Sequence, residues 1–110
     1  MILVTGGSCQ GQDEFAKMLT DGTGITVTGG FHLLVKKWID EGLDPETEFE
    51  KLIAGGRQAV FVTDEIGGGI IPMDESDRTW RELHGRLCCR LAAMSDEVYR
   101  VTCGIAVRIK

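Results

Sequence analysis

Apolar positions along the chain follow two rhythms. Ile2-Leu3-Val4 and Ala59-Val60-Phe61-Val62 are short unbroken apolar runs, the pattern of strands buried on both faces of a parallel sheet. Ile25-Thr26-Val27-Thr28 alternates β-branched residues and predicts another strand. Between the runs, apolar residues recur at helical spacing. Phe15, Ala16 and Leu19 mark a helix over 13–20, with Asp13 and Glu14 in its first turn, where the helix dipole favours acids. Phe31, Leu34, Val35, Trp38 and Ile39 mark a second helix, ended by Gly42. Pro45 opens a third, with Phe49, Leu52 and Ile53 as its stripe and Gly55-Gly56 as its end. The longest helix is predicted over 75–94, with Trp80, Leu83, Leu87, Leu91 and Met94 on one face. Residues 98–103 and 105–109 read as two final strands, with a hairpin or a bend at Gly104.

Strands that alternate with helices predict an α/β fold: a mainly parallel sheet flanked by helices, closed by an antiparallel C-terminal strand pair. With 110 residues and no internal repeat or linker, the expectation is one domain spanning 1–110.

Charge and composition narrow the function. Twelve Lys and Arg against 17 Asp and Glu leave a net charge of -5, which disfavours nucleic acid and an anionic membrane surface as partners. No apolar run is long enough to span a bilayer, and no basic leader precedes the first strand, so a cytoplasmic location is expected. Cys9, Cys88, Cys89 and Cys103 include no C-x-x-C pair and read as reduced, mostly structural cysteines. The 15 glycines cluster at the ends of the apolar runs, where the backbone turns close to a ligand or a packed neighbour.

The most informative segment is Gly6-Gly7-Ser8-Cys9-Gln10-Gly11-Gln12-Asp13, between the first strand and the first helix. Against the phosphate-binding template G-x-x-x-x-G-K-[ST], both glycines fit, at 6 and 11, and so does the strand-loop-helix setting. The lysine position is Gln12 and the hydroxyl position is Asp13. The template's lysine neutralises the outer phosphates and its hydroxyl ligates magnesium. The exchange moves local charge two units toward negative. A unit charge pair at roughly 4 Å and an effective dielectric of about 20 is worth about 4 kcal/mol before desolvation, so triphosphate affinity falls by orders of magnitude. Two readings stay open: a tight strand-to-helix turn, or a weak nucleotide- or anion-binding loop formed by residues 6–13. Asp13 is the one acid there that could hold a magnesium ion; no other metal-ligand set stands out.

Thr63-Asp64-Glu65 stands at the C-terminal end of a buried strand, where open α/β sheets bind ligands. Glu65 is the candidate catalytic residue, against the alternative of a loop acid capping the glycine turn before Pro72. His84 reads as a partly exposed or hydrogen-bonded helix residue. Cys9, at a helix N-terminus, is either a thiol of lowered pKa or a filler.

Four stretches resemble the bifunctional cobinamide kinase and cobinamide-phosphate guanylyltransferase family of cobalamin biosynthesis. The opening Met1-Ile2-Leu3-Val4-Thr5-Gly6-Gly7 is similar to the family's start. The block from Val60 to Pro72 resembles V-x-V-T-N-E-V-G-x-G-I-V-P, and the stretch from Trp80 to Ala92 resembles F-R-D-x-x-G-x-x-N-Q-x-x-A. The end from Asp96 to Lys110 is similar to D-E-V-x-x-V-x-x-G-I-x-x-x-x-K. The resemblance implies a P-loop NTPase (RecA-type) sheet, GTP or ATP with magnesium as cofactors, a nucleotide or corrinoid as small-molecule partner, and a homo-oligomer, with a trimer as the expected order.

Departures from the family pattern matter as much. Nothing here matches the segment that carries the family's guanylyl-accepting histidine, and that role is not carried onto His32. The position of the family's magnesium-supporting aspartate falls near Thr28, the asparagine of its N-E pair is Asp64, and its N-Q pair is Cys88-Cys89. The resemblance therefore implies a shortened, catalytically impaired relative that binds a nucleotide or corrinoid weakly or supports the pathway. The alternatives are an active kinase or guanylyltransferase using Asp13 and Glu65 around magnesium, and a structural oligomer without ligand.

Overall fold

The computed structural model describes residues 1–55, 58–67 and 74–110. Gly56 and Pro72, named above in turns, and Gly68 and Gly69 of the glycine turn before Pro72 lie outside the described residues.

The chain runs β1 (Ile2–Gly6), α1 (Gln12–Thr20), β2 (Thr26–Thr28), α2 (Phe31–Asp40), α3 (Pro45–Ile53), β3 (Ala59–Val62), α4 (Glu75–Met94), β4 (Glu97–Thr102) and β5 (Ile105–Arg108). The five strands form one sheet in the order β2-β3-β1-β4-β5. β1 lies at its centre, parallel to β3 and β4, and β5 runs antiparallel to β4. This is the mainly parallel, P-loop-like α/β fold with an antiparallel C-terminal pair that the sequence predicts.

Side-chain alternation along the strands divides the core. On one face Leu3, Phe61 and Val98 pack with Phe31, Val35, Trp38, Phe49, Leu87 and Leu91 of α2, α3 and α4. On the other, Val4, Val60, Val62 and Val101 pack with Ala16 of α1. Phe31 is fully buried, and its ring meets Trp38, Phe49 and Phe61 edge-on at centroid distances of 6.3, 6.1 and 5.9 Å.

The buried stripe of α4 differs from the expected one. His84, Leu87 and Leu91 are its buried residues, while Met94 is exposed. Spacing explains the shift: positions 80, 84, 87 and 91 follow the helical repeat more closely than a stripe through 83 and 94. A histidine occupies a core position because Thr63 meets it: the Thr63 hydroxyl lies 2.8 Å from His84 Nε2, and the Cys88 thiol 3.2 Å from the same nitrogen.

Burial, reinforced by the nearby His32, lowers the His84 pKa from 6.5 to about 4. The folded state thus resists a proton that the unfolded chain accepts. Stability is expected to fall as pH drops from 6.5 toward 4, by at most about 3 kcal/mol from this residue, and to stop falling on its account below that. Urea unfolding at pH 7 and pH 4.5 checks this; His84→Gln should show a smaller loss over the interval.

The final hairpin turns over two residues rather than at Gly104 alone. Cys103 and Gly104 form a two-residue turn with φ of 51° and 76°, and positive φ at both positions suits the right-handed twist of the flanking strands.

The connection after β1 leads toward β2, and the connection after β3 leads to β4, on the other side of β1. Adjacent strands whose connections diverge in this way leave a crevice at their C-terminal ends.

Candidate functional site

A cavity of about 770 Å³ occupies that crevice, within the size range of small-molecule sites. The turn after β1 contributes Cys9, Gln10, Gly11, Gln12 and Asp13, and the end of β3 contributes Val62, Thr63 and Asp64. Gly30 and His32, at the start of α2, and the Cys103-Gly104 turn complete the walls. Of the glycine loop singled out in the sequence, residues 9–13 line the cavity, and Gly6, Gly7 and Ser8 are not among its lining residues.

Packing accounts for both template glycines. A Cβ at Gly6 would collide with the Val101 carbonyl oxygen, so β1 and β4 can approach only without one. Gly11 has φ of +99°, and a Cβ there would meet the Gly104 Cα at 3.3 Å. The C-terminal hairpin is bonded to the loop: Gly104 N–H donates to the Gln10 carbonyl at 2.8 Å, and Cys103 N–H to Gln10 Oε1 at 2.7 Å.

Gln12 is 4% exposed and is folded back into its own loop. Its Nε2 donates to the Gly7 carbonyl at 2.6 Å and to Asp64 Oδ1 at 3.1 Å, while Oε1 accepts from Gln10 N–H at 3.1 Å. Such loops bind phosphate through backbone N–H groups turned inward; here a side chain already uses one of them.

Asp64 links the loop to α2. Its backbone N–H donates to His32 Nδ1 at 3.2 Å, and its Oδ2 faces His32 Nε2 at 3.6 Å. The Trp80 indole N–H donates to the His32 carbonyl at 2.7 Å and ties α4 to the same corner. Sequence reasoning set His32 aside; its signal is its place one residue into a helix that starts at the sheet's C-terminal edge.

Glu65 is placed differently from Asp64. Its carboxylate is held by Arg100, Nε to Oε1 at 2.9 Å and Nη2 to Oε2 at 3.1 Å. Asp13 is exposed on the cavity rim. Among the described residues no group of three or more His, Cys, Asp and Glu side chains is placed to hold a metal ion. No lysine or arginine is among the described residues that line the cavity, whereas Asp13, Glu14 and Asp64 are.

The four cysteines are free thiols, with Cys9, Cys89 and Cys103 exposed and Cys88 partly buried. Burial, with a contribution from Cys89, pushes the Cys88 thiol up to about 12. A thiol-specific reagent at pH 8 is expected to label three cysteines quickly and Cys88 only on unfolding, which mass mapping of the labelled peptides checks.

The match to known proteins falls on this framework. Residues 25–109 match the family described as cobinamide kinase / cobinamide phosphate guanyltransferase. The chain belongs to that family. A similar protein is the bifunctional adenosylcobalamin biosynthesis protein CobU of Salmonella typhimurium, 42% identical over 69 residues, covering 59% of this chain and 38% of the relative. The protein of the same description from Escherichia coli is 40% identical over 67 residues, covering 57% and 37%. The chain thus spans under two fifths of the length of these relatives, and the family match begins after the glycine loop and α1. None of the described helices is long and apolar enough to cross a membrane.

Proposed function

We propose that this protein serves cobalamin biosynthesis as a catalytically impaired relative of the cobinamide kinases, binding a corrinoid in the cavity and nucleoside triphosphates at most weakly. The observation that carries this reading is the Gln12 side chain, bonded to Gly7, Gln10 and Asp64 in the turn where a phosphate would lie. Magnesium with GTP or ATP fits this lining poorly: the acids present repel the phosphates, and one inward N–H is already used. The backbone amides of residues 6–13 and the start of α1 leave only a weak attraction for an anion. An amide-rich, uncharged or cationic corrinoid meets no such repulsion, and the carboxylates and the Gln10 side chain on the lining suit its amide donors.

Asp13 and Glu65 around magnesium are the alternative route to catalysis. It would require Glu65 to leave Arg100, and the geometry favours the impaired reading. An oligomer fits this proposal too: Ile105 and Val107 of the edge strand β5, and Ile109 just beyond it, are 68, 56 and 61% exposed and offer an apolar row to a second subunit.

Isothermal titration with GTP and ATP, with and without magnesium, and with cobinamide tests the reading. Saturable binding of cobinamide with negligible nucleotide heat is expected. Micromolar, magnesium-dependent nucleotide binding would overturn it.

A further inference from the structure

Resting on the corrinoid reading, we propose that the Cys9 and Cys103 thiols form an axial-ligand station for the cobalt of a corrinoid seated over the cavity. Both cysteines are exposed and both line it. They are also the two non-glycine residues with positive φ among those described, at 57° and 51°. Each therefore sits on a sharply turned backbone. The two turns are joined by the Gln10 bonds to Cys103 and Gly104, at 2.7 and 2.8 Å. Thiols brought in from opposite ends of the chain thus share one wall.

The histidine among the described lining residues is occupied. His32 has both ring nitrogens turned to Asp64, and its side chain is 13% exposed, so it offers no free lone pair. The acidic lining favours a cationic metal complex over an anion, and thiolate sulfur is a metal ligand where a thiol is not. Cys88 is partly buried against His84, and Cys89 is exposed on α4.

The step is a ligand exchange. Water leaves an axial position of cobalt(III), the sulfur lone pair forms the Co–S bond, and the thiol proton passes to solvent. Cobalt stays trivalent and no electron moves. One corrinoid face accepts one sulfur, so either thiol can serve and both must be removed to abolish the bond.

The probe is a cobinamide carrying water on both axial positions of cobalt(III), mixed anaerobically with the full chain. The wild-type protein and Cys89→Ser are expected to shift the visible corrinoid bands at one equivalent. The double variant Cys9→Ser/Cys103→Ser is expected to leave them unshifted and to bind about tenfold more weakly, about 1.4 kcal/mol. In the wild-type protein, bound corrinoid should protect Cys9 or Cys103 from alkylation, mapped by mass, and leave Cys89 reactive; this readout needs no variant to fold. Wild-type binding with unshifted bands, a shift that persists in the double variant, or equal alkylation with and without corrinoid would overturn this proposal alone. Absence of any binding would overturn the corrinoid reading and this proposal with it.

Discussion

Changing Gln12 to lysine and Asp13 to serine together is expected to raise magnesium-triphosphate affinity by about 100-fold or more. The change adds a cation and removes an anion where phosphates would lie, and it frees the Gln10 N–H that Gln12 Oε1 now occupies. Competition reduces the gain. A lysine at position 12 also meets Asp64, whose Oδ1 is 3.1 Å from the present Gln12 nitrogen. Adding Asp64→Asn removes that competitor, so the triple variant is expected to bind more tightly than the double. Gln12→Ala alone frees the N–H without supplying charge and should gain little. Titrating GTP with magnesium into the wild-type protein and these three variants separates these contributions. No gain in the triple variant would mean that the turn is not shaped for phosphate.

The second large effect is on stability. Phe31→Ala is expected to cost about 3–5 kcal/mol, the range for emptying a buried aromatic site. Its ring is fully buried where α2, α3 and β3 converge, with edge-on contacts to Trp38, Phe49 and Phe61. Rings on three sides hold the cavity open and limit collapse. Leu33→Ala, two positions along α2 and 57% exposed, should cost under about 1 kcal/mol. Urea midpoints for the two variants give the comparison. Equal losses would contradict this account of the core.

Most of the fold was legible in the residues because its strands are short, strongly apolar and separated by glycine or charge. β1, β3 and the limits of α4 follow from that contrast. The interior of α4 was less legible. His84 counts as polar in any apolar stripe, and only the Thr63 hydroxyl, 21 residues away, makes its burial acceptable. The hairpin hid its first turn residue because a cysteine rarely adopts positive φ.

At the site, the glycine loop was visible through its spacing, and its altered charge through Gln12 and Asp13. What Gln12 touches was not visible, since its partner Asp64 lies 52 residues away, beyond the end of β3. The pair Asp64-Glu65 shows the limit most clearly. Adjacent residues beyond a strand end face different ways, and sequence alone does not say which acid enters the crevice. Asp64 lines the cavity, and Glu65 meets Arg100 of β4. His32 belongs to the site only because α2 begins beside the ends of β1 and β3.

A crystal structure of the protein grown with magnesium and GTP tests the central claim most directly. The account predicts Gln12 Nε2 still bonded to the Gly7 carbonyl and Asp64, with no ordered triphosphate in the turn. Ordered phosphates against Gly11 and Gln12, with a metal ion beside Asp13, would contradict it.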